Sequence, residues 1–346
     1  MSDEAKTYVD NHLESFLASE IAIPTNARSR ASISQNHLRQ ILANKSNYDP
    51  DFPILLSGED SDFIGGSFAR HTKIWPLDDI DIYFPMDGAG LAYYRNDVRL
   101  PYWVVTDDFT QPQRLLSSKW KRGDYLASDY ILDGFRDTLK NSYPSSRIRG
   151  DRHAVCLSTT IAATSQSSGI GFDIVPCFCL QPDDGTERIY LMPDGNGHWI
   201  HTNPRVDTDI CAAFNQYHHD TFRKAVRLVK YWNKERFANR FSSYFIELAI
   251  CRCFIERRSA GVALTWIVEA LAWGFYGLKS AYDGGSLESF VPDAPQVVRP
   301  TLTIDEANFL KNSLDYAYKA LESATSGEGY TAILWLQALL GSEVEA

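Results

Sequence analysis

Three short segments of this chain carry groups that can work on phosphates. Gly65-Gly66-Ser67 is a glycine turn ending in a hydroxyl. Asp79 and Asp81 follow it after eleven intervening residues, and Asp173 stands in the apolar run Gly171-Phe172-Asp173-Ile174-Val175-Pro176. Glycines without Cβ atoms let backbone N–H groups approach phosphate oxygens closely, and the Ser67 hydroxyl adds a donor. Residues i and i+2 of a strand share a face with Cα atoms roughly 6.7 Å apart, so Asp79 and Asp81 can aim at one point. A strand carrying Asp173 beside them, about 4.8 Å away, would complete a triad. Three converging carboxylates are unfavourable to bury unless a cation offsets their charge, and an oxygen-only donor set suits Mg²⁺ or Mn²⁺ rather than zinc. Two such ions about 3.5–4 Å apart, one activating a hydroxyl and one steadying a leaving group, are what phosphoryl transfer uses. Each motif alone is common in unrelated chains. Their order, a glycine turn, an Asp-x-Asp strand and a later strand Asp, carries the reading.

The elements that must position these groups are legible in the hydrophobic pattern. Ile33, Leu38, Ile41 and Leu42 fit one face of a helix that ends before Pro50 and Pro53. The apolar run Ile54–Leu56 follows, and Asp79-Ile80-Asp81-Ile82-Tyr83-Phe84 alternates as a strand does. Ile131, Leu132, Phe135 and Leu139 predict a helix from about Ser128 to Leu139, and strands are expected at Ala154–Ile161 and Gly171–Phe178. Beyond Pro204 the pattern turns helical. Phe222, Val226, Val229 and Trp232 mark one helix to about Phe237, and a second begins near Ser243. Lys230 sits on the first of these, and Ser243 and Tyr244 open the second. A helix start offers free N–H groups to an anion. Ser243 reads equally as a simple N-cap, and Tyr244 as a core aromatic.

The segment Gly65-Gly66-Ser67-Phe68-Ala69-Arg70-His71-Thr72, running into Leu77-Asp78-Asp79-Ile80-Asp81-Ile82, resembles the signature of polymerase-β-like nucleotidyltransferases. Among them it is most similar to the bacterial relatives of cyclic GMP-AMP synthase and oligoadenylate synthase, the CD-NTases. Asp173 matches the third carboxylate, and the departure at His71, where relatives often carry glycine, puts no catalytic group in doubt. The resemblance implies an α+β protein: a polymerase-β-like core with a mixed twisted sheet, a helical C-terminal lobe, and the active site in the cleft between them. It implies a catalytic lobe at 1–204, whose N-terminal helix packs on the second lobe, and a helical lobe at 205–346. In the family, the positions that Lys230 and Ser243 resemble contact the donor triphosphate, and the aromatic at Tyr244 stacks on a base. The helix at Ala332-Ile333-Leu334-Trp335, ending at Gly341, resembles the family's closing helix.

The activity implied is template-independent joining of nucleoside triphosphates, ATP and/or GTP, into a cyclic di- or trinucleotide. Two Mg²⁺ ions, replaceable by Mn²⁺, would be held by Asp79, Asp81 and Asp173, with Gly65, Gly66, Ser67, Lys230 and Ser243 on the phosphates. Asp173 would lie nearest the attacking ribose hydroxyl. The family expectation is an anti-phage second messenger read by a separate effector. Linear oligoadenylate synthesis, nucleotide transfer to a tRNA or protein acceptor, and an inactive nucleotide-binding scaffold are the alternatives.

Composition narrows the field. The net charge of -10 argues against a protein that must hold duplex nucleic acid, although basic groups occur at Lys119, Lys121 and Arg122 and at Arg147, Arg149 and Arg152. The N-terminus lacks a signal-peptide layout, and the longest apolar stretch, Tyr244–Ile255, is interrupted by Glu247 and Arg252. A cytoplasmic protein with no membrane partner is expected, monomeric unless bound to regulatory proteins. The six scattered cysteines suggest neither a disulfide framework nor a zinc site. His198 and His201, flanking Trp199 in a segment read as a loop, are given no ligand role, and the acidic tail at Glu343–Ala346 is expected to be solvated.

Overall fold

The computed structural model describes residues 2–97, 101–106, 114–159, 169–180, 188–291 and 297–341. The acidic tail from Glu343 lies outside these residues. The chain opens with helix α1 (Ser2–Phe16), a π-helical turn (Leu17–Ile21) and α2 (Thr25–Tyr48). Strand β1 (Phe63–Ile64), the short α3 (Gly66–Ala69) and strands β2 (Ile80–Met86), β3 (Leu91–Tyr94), β4 (Trp103–Thr106), β5 (Lys121–Arg122) and β6 (Tyr125–Leu126) follow. Then come α4 (Ser128–Ser142), β7 (Arg147–Gly150), β8 (Val155–Ser158), β9 (Gly171–Leu180), β10 (Ile189–Pro193) and β11 (Trp199–Thr202). The remainder is α5 (Pro204–Tyr217), α6 (Thr221–Glu235), α7 (Ser243–Ser259), α8 (Ile267–Gly284), the hairpin β12 (Ser286–Leu287) and β13 (Val297–Val298), α9 (Ile304–Thr325) and α10 (Gly329–Leu340).

β2 is the strand the rest is built around. It pairs antiparallel with β1 and parallel with β9, and the other edge of β9 takes β8 and then β7 at its start and β10 and then β11 at its end. Because side chains alternate, one face of β2 and β9 presents Ile80, Ile82, Phe84, Phe172, Ile174 and Phe178. These join Ala27, Ala31, Leu38 and Leu42 of α2 and Ile131, Phe135 and Leu139 of α4 in a core under the sheet. The opposite face carries Asp81, Tyr83, Asp173, Val175 and Cys177. Ile33 is 71% exposed, however, and the expected α2 face is corrected to Ala27, Ala31, Gln35, Leu38 and Leu42. The buried stripe of α2 mixes small residues with leucines, which a count of large apolar residues does not reveal.

A second core gathers the C-terminal helices. Phe222, Val226, Val229 and Trp232 of α6 pack with Phe245 and Ile250 of α7, Leu271 and Phe275 of α8 and Leu336 of α10. Val9, Leu13 and Phe16 of α1 join this core, whereas α2 belongs to the first. Asp10 fastens α1 there by accepting from the Ile267 and Val268 amides at the start of α8, at 2.7 and 3.0 Å. All six cysteines are free thiols. No helix among the described residues is long and apolar enough to cross a membrane.

Candidate active site

Asp81 and Asp173 are direct cross-strand partners on the parallel pair β2 and β9. They belong to a rung running Arg149, Cys156, Asp173, Asp81 across four strands, so all four side chains leave the same side of the sheet. Asp79 lies one residue before β2 rather than inside it, close enough to Asp173 for their charges to interact. Its loop is pinned because the Gly171 amide donates to Leu77 O at 2.8 Å, and a Cβ at Gly171 would overlap the Asp78 carbonyl.

The glycine turn sits against these carboxylates. The Gly65 amide donates to Asp81 O at 3.0 Å, and Gly66 has φ +61°, where a Cβ would overlap the Asp81 carboxylate. Only glycine meets both demands. Ser67 is buried, and its carbonyl accepts from the Thr72 and Lys73 amides at 2.9 and 3.0 Å, turning the chain back toward Asp79. His71 has φ +60°, a left-handed backbone that histidine tolerates and that glycine would adopt without cost.

Electrostatics mark the site as unstable on its own. Burial, with Asp173 and Asp79 nearby, pushes Asp81 up to about 7. Asp79 is raised by burial against the opposing pull of Lys73, and Asp173 is raised by burial although the Cys156 thiol hydrogen-bonds to it. A cation fits this donor set, since it would offset three like charges gathered at one end of a sheet. As the side chains lie, no three His, Cys, Asp or Glu groups among the described residues are close enough to hold one ion together.

A cavity of about 360 Å³ opens beside the rung, walled by Gly66, Arg70, Asp81, His201, Asp207 and Tyr244 among others. Tyr244 donates to Asp207 at 3.2 Å, meets Ser289 at 3.1 Å and has the Arg70 guanidinium 5.8 Å from its ring. Asp79, Asp173, Ser67, Lys230 and Ser243 are not among the groups lining this cavity. His201 is: the segment read as a loop is strand β11, and His201 stacks on Tyr102 with ring centres 4.2 Å apart. Alternation along Trp199–Thr202 was the available signal, masked by the shortness of the strand.

Sequence reasoning gave Lys230 a triphosphate as its partner, but in the structure Glu247 of α7 takes its ammonium. Glu247 also accepts from Arg70 Nε at 2.5 Å and Thr72 Oγ1 at 2.7 Å, with all four side chains buried. Burial alone would raise Glu247, yet Arg70 and Lys230 bring it down to about 2. This knot ties the loop after α3 to α6 and α7. Ser243 is exposed at the first position of α7, and the N-cap is Ser242, whose hydroxyl accepts from the Phe245 amide. The proposed simple cap therefore falls one residue earlier, leaving the Ser243 hydroxyl available.

Comparison with known proteins agrees with this construction. A probable cyclic nucleotide synthase of Bacillus cereus (strain VD146) is 28% identical over 239 residues, 68% of this chain and 67% of that protein. CdnC from E. coli MS115-1, solved with ATP, matches with TM-score 0.59 at 18% identity, covering 97% of this chain and 98% of its own. CdnC in its HORMA-deltaN complex matches with TM-score 0.59 at 19% identity, with the same coverage. No protein-family model matches the chain. The mixed sheet with its carboxylate rung has the polymerase-β-like fold of CdnC. In sequence the chain is similar to the probable cyclic nucleotide synthase, and in fold to CdnC, a CD-NTase.

Proposed function

We propose that this nucleotidyltransferase joins ATP and/or GTP, without a template, into a cyclic di- or trinucleotide. The observation that carries the reading is the register of Asp81 against Asp173, with Asp79 just ahead of β2 and Gly66 pressed against Asp81 at the cavity wall. The name of the Bacillus relative and the ATP bound by CdnC support it. Asp79, Asp81 and Asp173 would hold Mg²⁺ or Mn²⁺, which when bound activates the attacking hydroxyl and steadies the pyrophosphate. Gly66 and Ser67 offer backbone donors to the triphosphate, Gly65 shapes the turn with its own amide held by Asp81 O, and Arg70 adds a cation on the cavity wall. Lys230 supports Arg70 through Glu247, and Ser243 presents its hydroxyl and amide at the start of α7. Tyr244, held at its hydroxyl end by Asp207 and Ser289, presents its ring to a base. Asp173, next to Cys156 along the rung, would serve the acceptor hydroxyl.

The chain divides into a catalytic lobe at 1–204 and a helical lobe at 205–346 in this proposal. Its product would act as a cytoplasmic anti-phage second messenger read by a separate effector, and the HORMA complex of CdnC supports control by a bound regulatory protein. The test is incubation with all four ribonucleoside triphosphates and Mg²⁺ or Mn²⁺, phosphatase treatment and mass spectrometry, with Asp79→Ala/Asp81→Ala as control. A phosphatase-resistant cyclic product absent from the control is expected. A product degraded from its ends would instead indicate linear synthesis. Failure of any triphosphate to bind would overturn the reading.

A further inference from the structure

The carboxylates of the site already share a cation supplied by the chain itself. Lys73 Nζ ion-pairs with Asp79 and lies 2.5 Å from Asp78 Oδ1, with only 10% of its side chain exposed. Its position is fixed from behind, since its amide donates to the Ser67 carbonyl at the end of the glycine turn. Burial opposes a charged ammonium there, but Asp79 and Asp78 more than offset this and keep it protonated. The same charge also favours the ionised forms of Asp81 and Asp173.

Two consequences follow from that placement. A divalent ion gathering all three aspartates competes with Lys73 for Asp79, because the two cations would then share the negative charge of one carboxylate. The ammonium so released stays on a four-carbon stem whose backbone adjoins Ser67, beside the amides proposed for the triphosphate. We propose that Lys73 is an exchangeable internal counterion. It holds Asp79 while the metal is absent and passes to the triphosphate when the metal takes the carboxylate, so that metal and nucleotide favour each other's binding. This role rests on the proposed nucleotidyl-transfer site.

The test is titration of the purified full-length protein with Mn²⁺, followed by electron paramagnetic resonance. It is run alone and with an ATP analogue whose α and β phosphates are joined through carbon. Lys73→Met removes the charge and keeps the length. Without nucleotide it should bind Mn²⁺ on the order of tenfold more tightly than the parent protein, because a competing unit charge at ion-pair distance is gone. The gain in Mn²⁺ affinity that the analogue gives the parent should shrink in the variant. Lys73→Arg should retain the parent behaviour, and Lys73→Gln serves if methionine disturbs folding by circular dichroism. Unchanged or weaker Mn²⁺ binding in both neutral variants, while Asp81→Asn abolishes it, would overturn the counterion role and leave the metal site standing. If Asp81→Asn and Asp173→Asn bind Mn²⁺ as the parent does, the metal site itself fails, and the role of Lys73 with it.

Discussion

Substituting glutamine for Glu247 removes one negative charge from a pocket where two cations depend on it. Arg70 and Lys230 both ion-pair with this carboxylate, and the three side chains are 7, 4 and 3% exposed for Arg70, Lys230 and Glu247. Breaking one side of a buried pair leaves an uncompensated charge and costs about 3–5 kcal/mol. Unfolding entropy is about 2 cal/mol/K per residue. For 346 residues melting together, the midpoint should therefore fall by about 4–7 °C. Scanning calorimetry measures this directly. Adding Lys230→Met to Glu247→Gln removes one of the stranded cations, so the double variant should be more stable than the sum of the single losses predicts. Turnover should fall in Glu247→Gln as well, because Arg70 loses its anchor at the cavity wall. A strictly additive cycle, or a midpoint within 1 °C of the parent by the same scale, would refute the account of the knot.

Gly66→Ala places a methyl group against the Asp81 carboxylate at a φ of +61°, and should cost about 1–3 kcal/mol and at least 100-fold in turnover, read by thermal melting and product formation. Asp81→Asn should abolish turnover yet stabilise the metal-free protein at pH 8. Burial and its neighbours raise Asp81 to about 7, so the ionised form above that pH costs folding free energy that asparagine avoids. Denaturant melts in chelator compare the two proteins, and a less stable variant would count against the crowding of charge. His218 is buried and accepts the Leu264 amide at Nδ1, 3.0 Å away, and burial holds its pKa below the usual imidazole range. Its folded form resists protonation, so stability should be full above about pH 6.5 and fall as pH drops below it. His218→Gln, which retains an acceptor, should flatten that part of the melting profile.

The sequence showed the chemistry well where it depended on local periodicity. Asp79 and Asp81 were readable as a pair from their spacing, although β2 begins one residue after Asp79, and Asp173 because apolar neighbours marked its strand as buried. The parallel register that joins Asp81 to Asp173 could only be supposed, since nothing local sets it. The helices α4, α6 and α7 were visible from their apolar spacing. Lys73 and the Arg70–Glu247–Lys230 knot were not, although every residue was in view. Arg70 and Glu247 are 177 positions apart, and pairing of that kind is decided by packing alone. Glu247 interrupted an apolar stretch, the one trace it left in the sequence of being buried with partners. His201 escaped because a four-residue strand gives too few alternations to distinguish it from a loop.

The passage from α1 to α2 crosses between the two cores within a few residues, through the π-helical turn Leu17–Ile21. α1 is locked on the far side by Asp10 and its apolar face, and α2 lies under the sheet. The turn is not an idle connection, for the Ile21 carbonyl accepts from the Trp75 amide, two residues beyond Lys73. The bottom of the active-site loop is thus moored to the strap that joins the cores. If the cores rotate against one another, that mooring converts the rotation into a pull on the loop bearing Lys73.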